Sequence, residues 1–470
     1  MADDKDIAAT SDAAPNALRD GDGAVRPEFV QIVADAIAGR DAGLLRSLVG
    51  ELHESDTGDL IEALDPEHRP QLIALLGKDF DFTALTEVDD AVREEILEEL
   101  APETVAEGVR DVDSDDAVYI LENLPKEDQA EILQQLPPPE RAALAKRLDY
   151  PEESAGRRMQ TEFIAVAPTW TVGQAIDYMR ETDDLPERFF EIYVVDPAGK
   201  FLGAVPLDRL MRTKRPVPMS GLMEPERHVV RAMDDQEEVA RRFERYNLVA
   251  APVIDANERI VGVITFDDIV DVIEEEAEED IKALGGVGRT EELSDSVWQV
   301  AKGRFNWLLI NLGTAFLASS VLKLFEGELE KMVALAVLAP IVASQGGNAT
   351  TQTMTVVVRA IATRELSTGN AARVIVRELM VGLFNGVAFA IITGVAAAAW
   401  FKVTGLGVVI GLAMICNLLA AALGGILIPL TLHRLRRDPA VASSPFVTTV
   451  TDIVGFFSFL TIATVWFGLK

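Results

Sequence analysis

The sequence predicts a multidomain chain in three parts: an all-α helical superhelix, a duplicated α/β module and an α-helical membrane domain of five spans. Three observations carry this reading. Short amphipathic helices repeat at an offset of 60 residues near the N-terminus, a strand–turn–strand–helix segment occurs twice in the middle, and long apolar stretches crowd the final third.

The 470 residues suffice for three domains of ordinary size. The formal charge of −33 is uneven: from residue 302 onward 13 Lys and Arg stand against 7 Asp and Glu, a net +6, which leaves −39 on residues 1–301. An acidic body thus precedes a mildly basic, apolar tail. That acidity argues against nucleic acid as a partner, which would need a basic footprint. Residues 1–29 begin "MADDKDIAATSDAAPNALRDGDG", acidic and without an apolar core, so they read as a disordered lead and not a signal peptide. The single cysteine, Cys416, falls in an apolar stretch, which leaves no disulfide framework and no cysteine metal site. His53, His68, His228 and His433 are scattered without metal-ligand spacing.

The superhelix is expected over residues 30–155. "LIEALDPEHRPQLIALL" at 60–76 returns as "ILENLPKEDQAEILQQL" at 120–136, and Asp-Pro, Leu-Pro and Pro-Pro breaks punctuate the copies. Leucines at helical spacing mark its core; its acids face solvent or join a shared cation site.

The duplicated module occupies 156–275. "VVDPAGKFLGAVPLD" at 194–208 matches "VIDANERIVGVITFD" at 253–267, so that Asp196, Gly203 and Asp208 recur as Asp255, Gly262 and Asp267. A helix precedes each copy, at "TVGQAIDYMRE" and "QEEVARRFERY". This resembles a tandem pair of cystathionine-β-synthase-type (CBS) domains, the first about 156–215 and the second about 218–275. The resemblance implies a sensor rather than a catalyst. It also implies an adenosine-nucleotide signature, which the second copy meets with Gly262, Thr265 and Asp268 while the first has Pro206 and Arg209 instead. ATP is therefore a candidate ligand.

The segment "FDDIVDVIEEEAEED" at 266–280 holds nine carboxylates and no Lys or Arg. On a helix it sets Asp271 against Glu275, Glu274 against Glu278, Glu275 against Glu279 and Glu276 against Asp280, like-charge pairs that each cost about 0.2–0.5 kcal/mol. Such runs are ordinarily solvated faces or acidic linkers; the sharper reading is that a cation completes the structure. Residues 276–302 are expected to form an acidic connecting and plug helix leading to the membrane domain at 303–470.

A helix of about 20 apolar residues crosses roughly 30 Å of hydrocarbon. Five stretches qualify, at about 305–325, 332–358, 379–401, 405–432 and 446–469. Pro340 interrupts the second and "GGILIP" the fourth, so tilt or kinks are expected there. Arg359, Arg364, Arg373 and Arg377 follow the second stretch, and Arg434, Arg436 and Arg437 the fourth, which places these connections and residues 1–301 in the cytoplasm.

Asp452 is the one carboxylate well inside a stretch, where a charge costs roughly 2.5 kcal/mol or more and usually faces water or a partner. In "APIVASQGGNATTQ" of the second stretch, Pro340, Gly346 and Gly347 are expected to free backbone carbonyls, while Gln345, Asn348 and Gln352 add side-chain oxygens. Helix packing through small residues is the plainer alternative. With Asp452 the segment reads as a cation path, and oxygen-only surroundings suit hard cations such as Mg²⁺. Spacing alone leaves Ca²⁺, Mn²⁺ and Co²⁺ open.

The order of these parts, with "GGNATTQ", "ATREL" and "DPAVASSPFVTTVTDIVG", resembles the MgtE family of magnesium channels over about residues 30–470. The resemblance implies a plasma-membrane homodimer with its pore between the chains, Asp452 as the pore aspartate that binds hydrated Mg²⁺, and Asn348, Gly346, Gly347 and Ser444 around it. It further implies that Asp235, Glu237, Asp268, Asp271, Glu276, Glu279 and Asp280 bind cytosolic Mg²⁺ and close the pore, with the segment before the first span as the plug helix. The chain departs from the family pattern at Thr350 and Thr351 in the second stretch, at Ser444, and at Asn247, which stands in place of a sensor aspartate. The rival functions are a permease for another divalent cation (Co²⁺, Mn²⁺), a CBS-gated anion channel, which would want basic groups along its path, and a membrane-tethered nucleotide sensor, which leaves Asp452 unexplained. An enzyme is not expected, because no nucleophile–base pair or phosphate-binding loop is apparent; the glycines of "GGVGRT" at 285–290 follow a helix and read as its end.

Overall fold

The 60-residue repeat is a repeat of helix ends as much as of apolar residues. In the computed structural model, which describes residues 18–21, 23–182, 185–186, 188–224, 228–288, 291–366, 369–435, 437, 439 and 444–469, helices Glu54–Ala63 and Arg69–Leu76 correspond to Ser114–Glu122 and Lys126–Gln135. Leu60, Ile61, Leu64, Leu72, Ile73 and Leu76 are buried, as are Ile120, Leu121, Leu124, Ile132 and Leu136 sixty residues on. The last carbonyls of a helix lack intrahelical partners. Here the following helix supplies them: Arg69 donates to the carbonyls of Ile61, Leu64 and Glu62, each at 3.1 Å. Gln129 repeats the device on Leu121 (3.0 Å), Glu122 (3.2 Å) and Leu124 (3.0 Å). Arg93 does so on Leu85 and Val88, and Arg141 on Gln134 and Leu136. In all four cases one acceptor lies five residues before the donor. Pro102 and Pro138 open their helices, where a missing N–H costs nothing.

The expected disordered lead does not hold for its described part. Leu18 is buried in the superhelix core, Arg19 pairs with Asp56 and Asp59, and a helix already starts at Pro27. An apolar anchor and an arginine facing two helix acids hold this segment down; Met1 to Asn16 and Ala17 lie outside the described residues.

Each copy of the middle module is a three-stranded sheet. β1 (Ala165–Val166), β2 (Glu191–Val195) and β3 (Phe201–Pro206) are ordered β1-β2-β3, and β4 (Val230–Arg231), β5 (Ala250–Ile254) and β6 (Ile260–Thr265) repeat that order. The recurring residues have structural reasons. Asp196 accepts from the N–H groups of Ala198 and Lys200, and Asp255 from those of Asn257 and Arg259, closing equivalent turns. A side chain on Gly203 would stand 2.6 Å from the Glu224 carbonyl, and one on Gly262 2.6 Å from that of Gln160. Both glycines lie where another segment crosses the sheet. The two copies join turn to turn, Phe201 N–H donating to Glu258 (3.0 Å) and Ile260 N–H to Gly199 (3.3 Å).

Residues 277–470 form a second compact unit, distinct from residues 1–276. Among its described residues five helices are long and apolar enough to cross a membrane: Val297–Leu324, Val333–Ala362, Ala371–Phe401, Thr404–Arg434 and Ser444–Phe467, called here the first to fifth spans. The fourth is the most enclosed, and small residues let it approach the third: a side chain on Gly394 would stand 2.8 Å from the Gly407 carbonyl. The second and fourth spans each run as one helix through Pro340 and Pro429, since proline removes one bond without ending a helix packed on its neighbours. One expectation is corrected. The segment after the acidic run is not a separate plug helix. Ser296 caps the first span in a reciprocal capping box with Gln299, so the helix runs unbroken from Val297 into the apolar stretch.

Candidate functional site

The acidic run is a helix, Phe266–Gly285, and its counter-charge comes from far away in sequence. Arg158 donates to Glu275 at 2.5 Å and to the side-chain oxygen of Gln236 at 3.0 Å, while Gln236 donates to Glu276 at 2.9 Å. The Arg158 guanidinium also lies 5.5 Å from the Tyr119 ring, and Arg157 pairs with Glu122 at 3.0 Å. No signal in the run itself points to these arginines, which precede it by more than 100 residues.

The expected sensor acids divide into several environments. Asp235 caps helix Gln236–Tyr246 by accepting from the Glu238 N–H, and Glu237 pairs with Arg241. Asp268 accepts from the Thr265 hydroxyl (2.8 Å) and N–H (3.3 Å), and Gln160 donates to the same hydroxyl at 3.3 Å. The nucleotide signature Gly262, Thr265 and Asp268 is thus occupied by contacts within the chain. Burial, then the Asp115 charge, raise the Asp268 carboxyl well above its usual range. Desolvation, then Glu87 and Asp267, raise Asp271; desolvation, then Glu237, Glu153 and Asp235, raise Glu276 against the bond from Gln236. Glu279 and Asp280 lie one turn further along the helix, half-buried. Asn247 has a reason of its own: it ends helix Gln236–Tyr246 at φ 51°, a left-handed position that Asn tolerates better than most residues.

The sequence reading missed Asp115 and Asp116 of the superhelix, which meet this cluster. Burial, then Asp115, Asp113, Asp267 and Asp81, push the Asp116 carboxyl up to about 8. Burial pushes Asp115 to about 6 although the Arg147 charge opposes it. Among the described residues no three His, Cys, Asp or Glu side chains already stand as a metal cage. Such carboxyls contribute stability that is complete below their unfolded pKa of roughly 4 and lost as pH rises through the folded values of about 6 and about 8. In EDTA, the melting temperature of the cytosolic unit in the detergent-solubilised chain should therefore fall by about 3 °C or more between pH 5.5 and 8. Differential scanning fluorimetry checks this; a melting point that rises with pH over that window contradicts it.

In the membrane unit, Asp452 lies half-buried in the fifth span, one turn beyond Thr448. A side chain on Gly347 would touch the Thr448 methyl at 3.6 Å, which brings the "GGN" turn of the second span against the fifth. Asn348 is exposed on the single chain. The carbonyls of Gly346 and Gly347, expected to be free, are not. The helix is continuous, the Thr350 hydroxyl donates to the Gly346 carbonyl at 2.9 Å and that of Thr351 to Gly347 at 3.1 Å, so the departures Thr350 and Thr351 close what the glycines were expected to open. Gly346 is also buried, against Asn417 of the fourth span. Ser444 opens the fifth span, and its side chain lies outside the described residues. At the other end of the acidic helix, Ala283 is buried with Met354 and Val358 of the second span and Val447 of the fifth.

Five apolar spans, a half-buried carboxylate on the fifth of them and a carboxylate-rich unit elsewhere in the chain mark the class: a multi-pass membrane protein suited to cations. The comparisons with known proteins agree. Residues 339–462 match a family model described as a divalent cation transporter, residues 52–153 the MgtE intracellular N domain, and residues 155–215 and 219–275 the CBS domain. The chain is 33% identical to the magnesium transporter MgtE of Thermus thermophilus over 89% of this chain and 97% of that protein. It is 28% identical to the protein of the same name in Bacillus subtilis, over 89% of this chain and 93% of that one. A solved structure of the cytosolic domain of the Mg²⁺ channel MgtE in complex with ATP is 30% identical, covering 52% of this chain and 99% of that one with a TM-score of 0.42. The chain belongs to the MgtE family of divalent cation transporters, and its N-terminal domains are cytoplasmic.

Proposed function

We propose that the protein imports Mg²⁺ across the plasma membrane through a path beside Asp452 and is closed by Mg²⁺ that accumulates in the cytosol. The observation that carries this reading is the acidic helix itself. Its carboxylates meet those of the superhelix in the cytosolic unit, and its far end, at Ala283, packs on both spans that flank Asp452. Mg²⁺ binding among Asp235, Glu237, Asp268, Asp271, Glu276, Glu279 and Asp280 relieves the repulsion along this helix. The pore responds only by the difference in Mg²⁺ affinity between its two states. The contact at Ala283 supports transmission through the helix end rather than through a separate plug.

The functional unit is a homodimer in this reading. Asn348 faces outward and Asp452 is half-open on one chain, while the first span keeps nearly all its apolar side chains exposed. A second copy that covers this face encloses the path and supplies a second Asp452. An adenosine nucleotide is a further ligand of the middle module in this reading, which rests on the signature residues Gly262, Thr265 and Asp268.

The test is Mg²⁺ uptake into proteoliposomes that enclose a Mg²⁺-sensitive dye, with Mg²⁺ on the cytosolic side varied from micromolar to millimolar. Uptake that falls as cytosolic-side Mg²⁺ rises supports the reading. Absence of uptake by correctly assembled chain overturns transport, and uptake indifferent to that Mg²⁺ overturns the gating.

A further inference from the structure

Asn417 lies in the middle of the fourth span and is fully buried. Its Nδ2 donates to the Val342 carbonyl of the second span at 2.8 Å, while its Oδ1 has no hydrogen-bond partner among the described residues. The amide is seated between two glycines. A methyl group on Gly346 would collide with it, and one on Gly455 of the fifth span would stand 2.8 Å from its nitrogen and 3.3 Å from its oxygen. Helical geometry fixes which residues stand around each glycine. At 100° per residue, Asn348 projects from the face of the second span nearly opposite Gly346, and Asp452 lies one turn before Gly455, beside it. Asn417 therefore lies behind the turn of the second span that carries Asn348 and next to the turn of the fifth span that carries Asp452.

Packing alone does not account for an asparagine here. Leucine has nearly the same shape and would leave no buried oxygen unpaired, which is costly in a membrane interior. What the amide adds over leucine is one directional bond to Val342, made where the notches at Gly346 and Gly455 admit its volume. We propose that Asn417 is a positioning residue that sets the separation of the second and fifth spans at the level of Asn348 and Asp452, and thereby the discrimination between divalent cations. The inference rests on the reading of Asp452 as part of the path.

The experiment compares Mg²⁺ and Co²⁺ uptake per assembled molecule for the parent chain, Asn417→Leu, Gly346→Ala, the pair Gly346→Ala with Asn417→Ala, and Asp452→Asn. Asn417→Leu should change the Mg²⁺ to Co²⁺ uptake ratio at least threefold, which a general loss of stability would not do. Gly346→Ala should lower Mg²⁺ uptake at least tenfold, and the paired variant, with room restored, should regain a third or more of the parent rate. A ratio and rate unchanged in Asn417→Leu overturn the inference, as does a paired variant no better than Gly346→Ala. Should Asn417→Leu fail to assemble, the paired variant decides. Asp452→Asn separates the two readings: its transport at the parent rate overturns the path and this inference together, whereas its loss beside an indifferent Asn417→Leu overturns the inference alone.

Discussion

Asp452→Asn should lower Mg²⁺ uptake about 50-fold with assembly unchanged, a loss equivalent to about 2.3 kcal/mol. Asparagine keeps the volume and the acceptor oxygen of Asp452 and removes the charge, so the measurement isolates electrostatics from packing. A hydrated divalent ion crossing low-dielectric surroundings needs a fixed opposite charge to offset the hydration it leaves behind. The remaining polar groups of the second span do not supply one: the hydroxyls of Thr350 and Thr351 already bond to helix carbonyls, and Asn348 is neutral. Dye-loaded proteoliposomes give the readout. An Asp452→Asn chain that fills vesicles at half the parent rate or faster would move the path elsewhere.

Removal of residues 1–276 should leave Mg²⁺ uptake intact while abolishing its inhibition by millimolar Mg²⁺ on the cytosolic side. The spans form a compact unit of their own, with apolar clusters that draw nothing from residues 1–276. Of the acids expected to respond to Mg²⁺, only Glu279 and Asp280 remain in residues 277–470, and two carboxylates without their partners bind the ion too weakly to bias the spans. Inhibition should therefore shift upward by at least about tenfold in concentration, or about 1.4 kcal/mol of lost coupling. Inhibition retained at the parent concentration would place the responsive site within the membrane unit.

Much of this was legible in the sequence because it rests on period and repetition. The 60-residue offset marked buried positions that recur in the structure, and the paired Asp196/Asp255 and Gly203/Gly262 marked equivalent turns and crossings. Apolar length gave all five spans. What escaped depends on contacts between distant residues. The arginine that faces the acidic helix lies 117 residues before its partner Glu275. Asp115 and Asp116 look like any first-turn acids until the fold buries them. Pro340 and the double glycine suggested broken backbone, but the second span stays one helix through both, and the reason for Gly346 is a side chain on the fourth span. Charge runs and breakers report local preference; burial and neighbours are decided by the rest of the chain.

The donors at Arg69, Arg93, Gln129 and Arg141 each fasten a helix to the one just before it in sequence. Stability in such an array is a sum of nearest-neighbour couplings. Pulled by its ends, the N-terminal superhelix would yield link by link, and a lesion at one clasp would loosen a single joint and leave the others to bear the load.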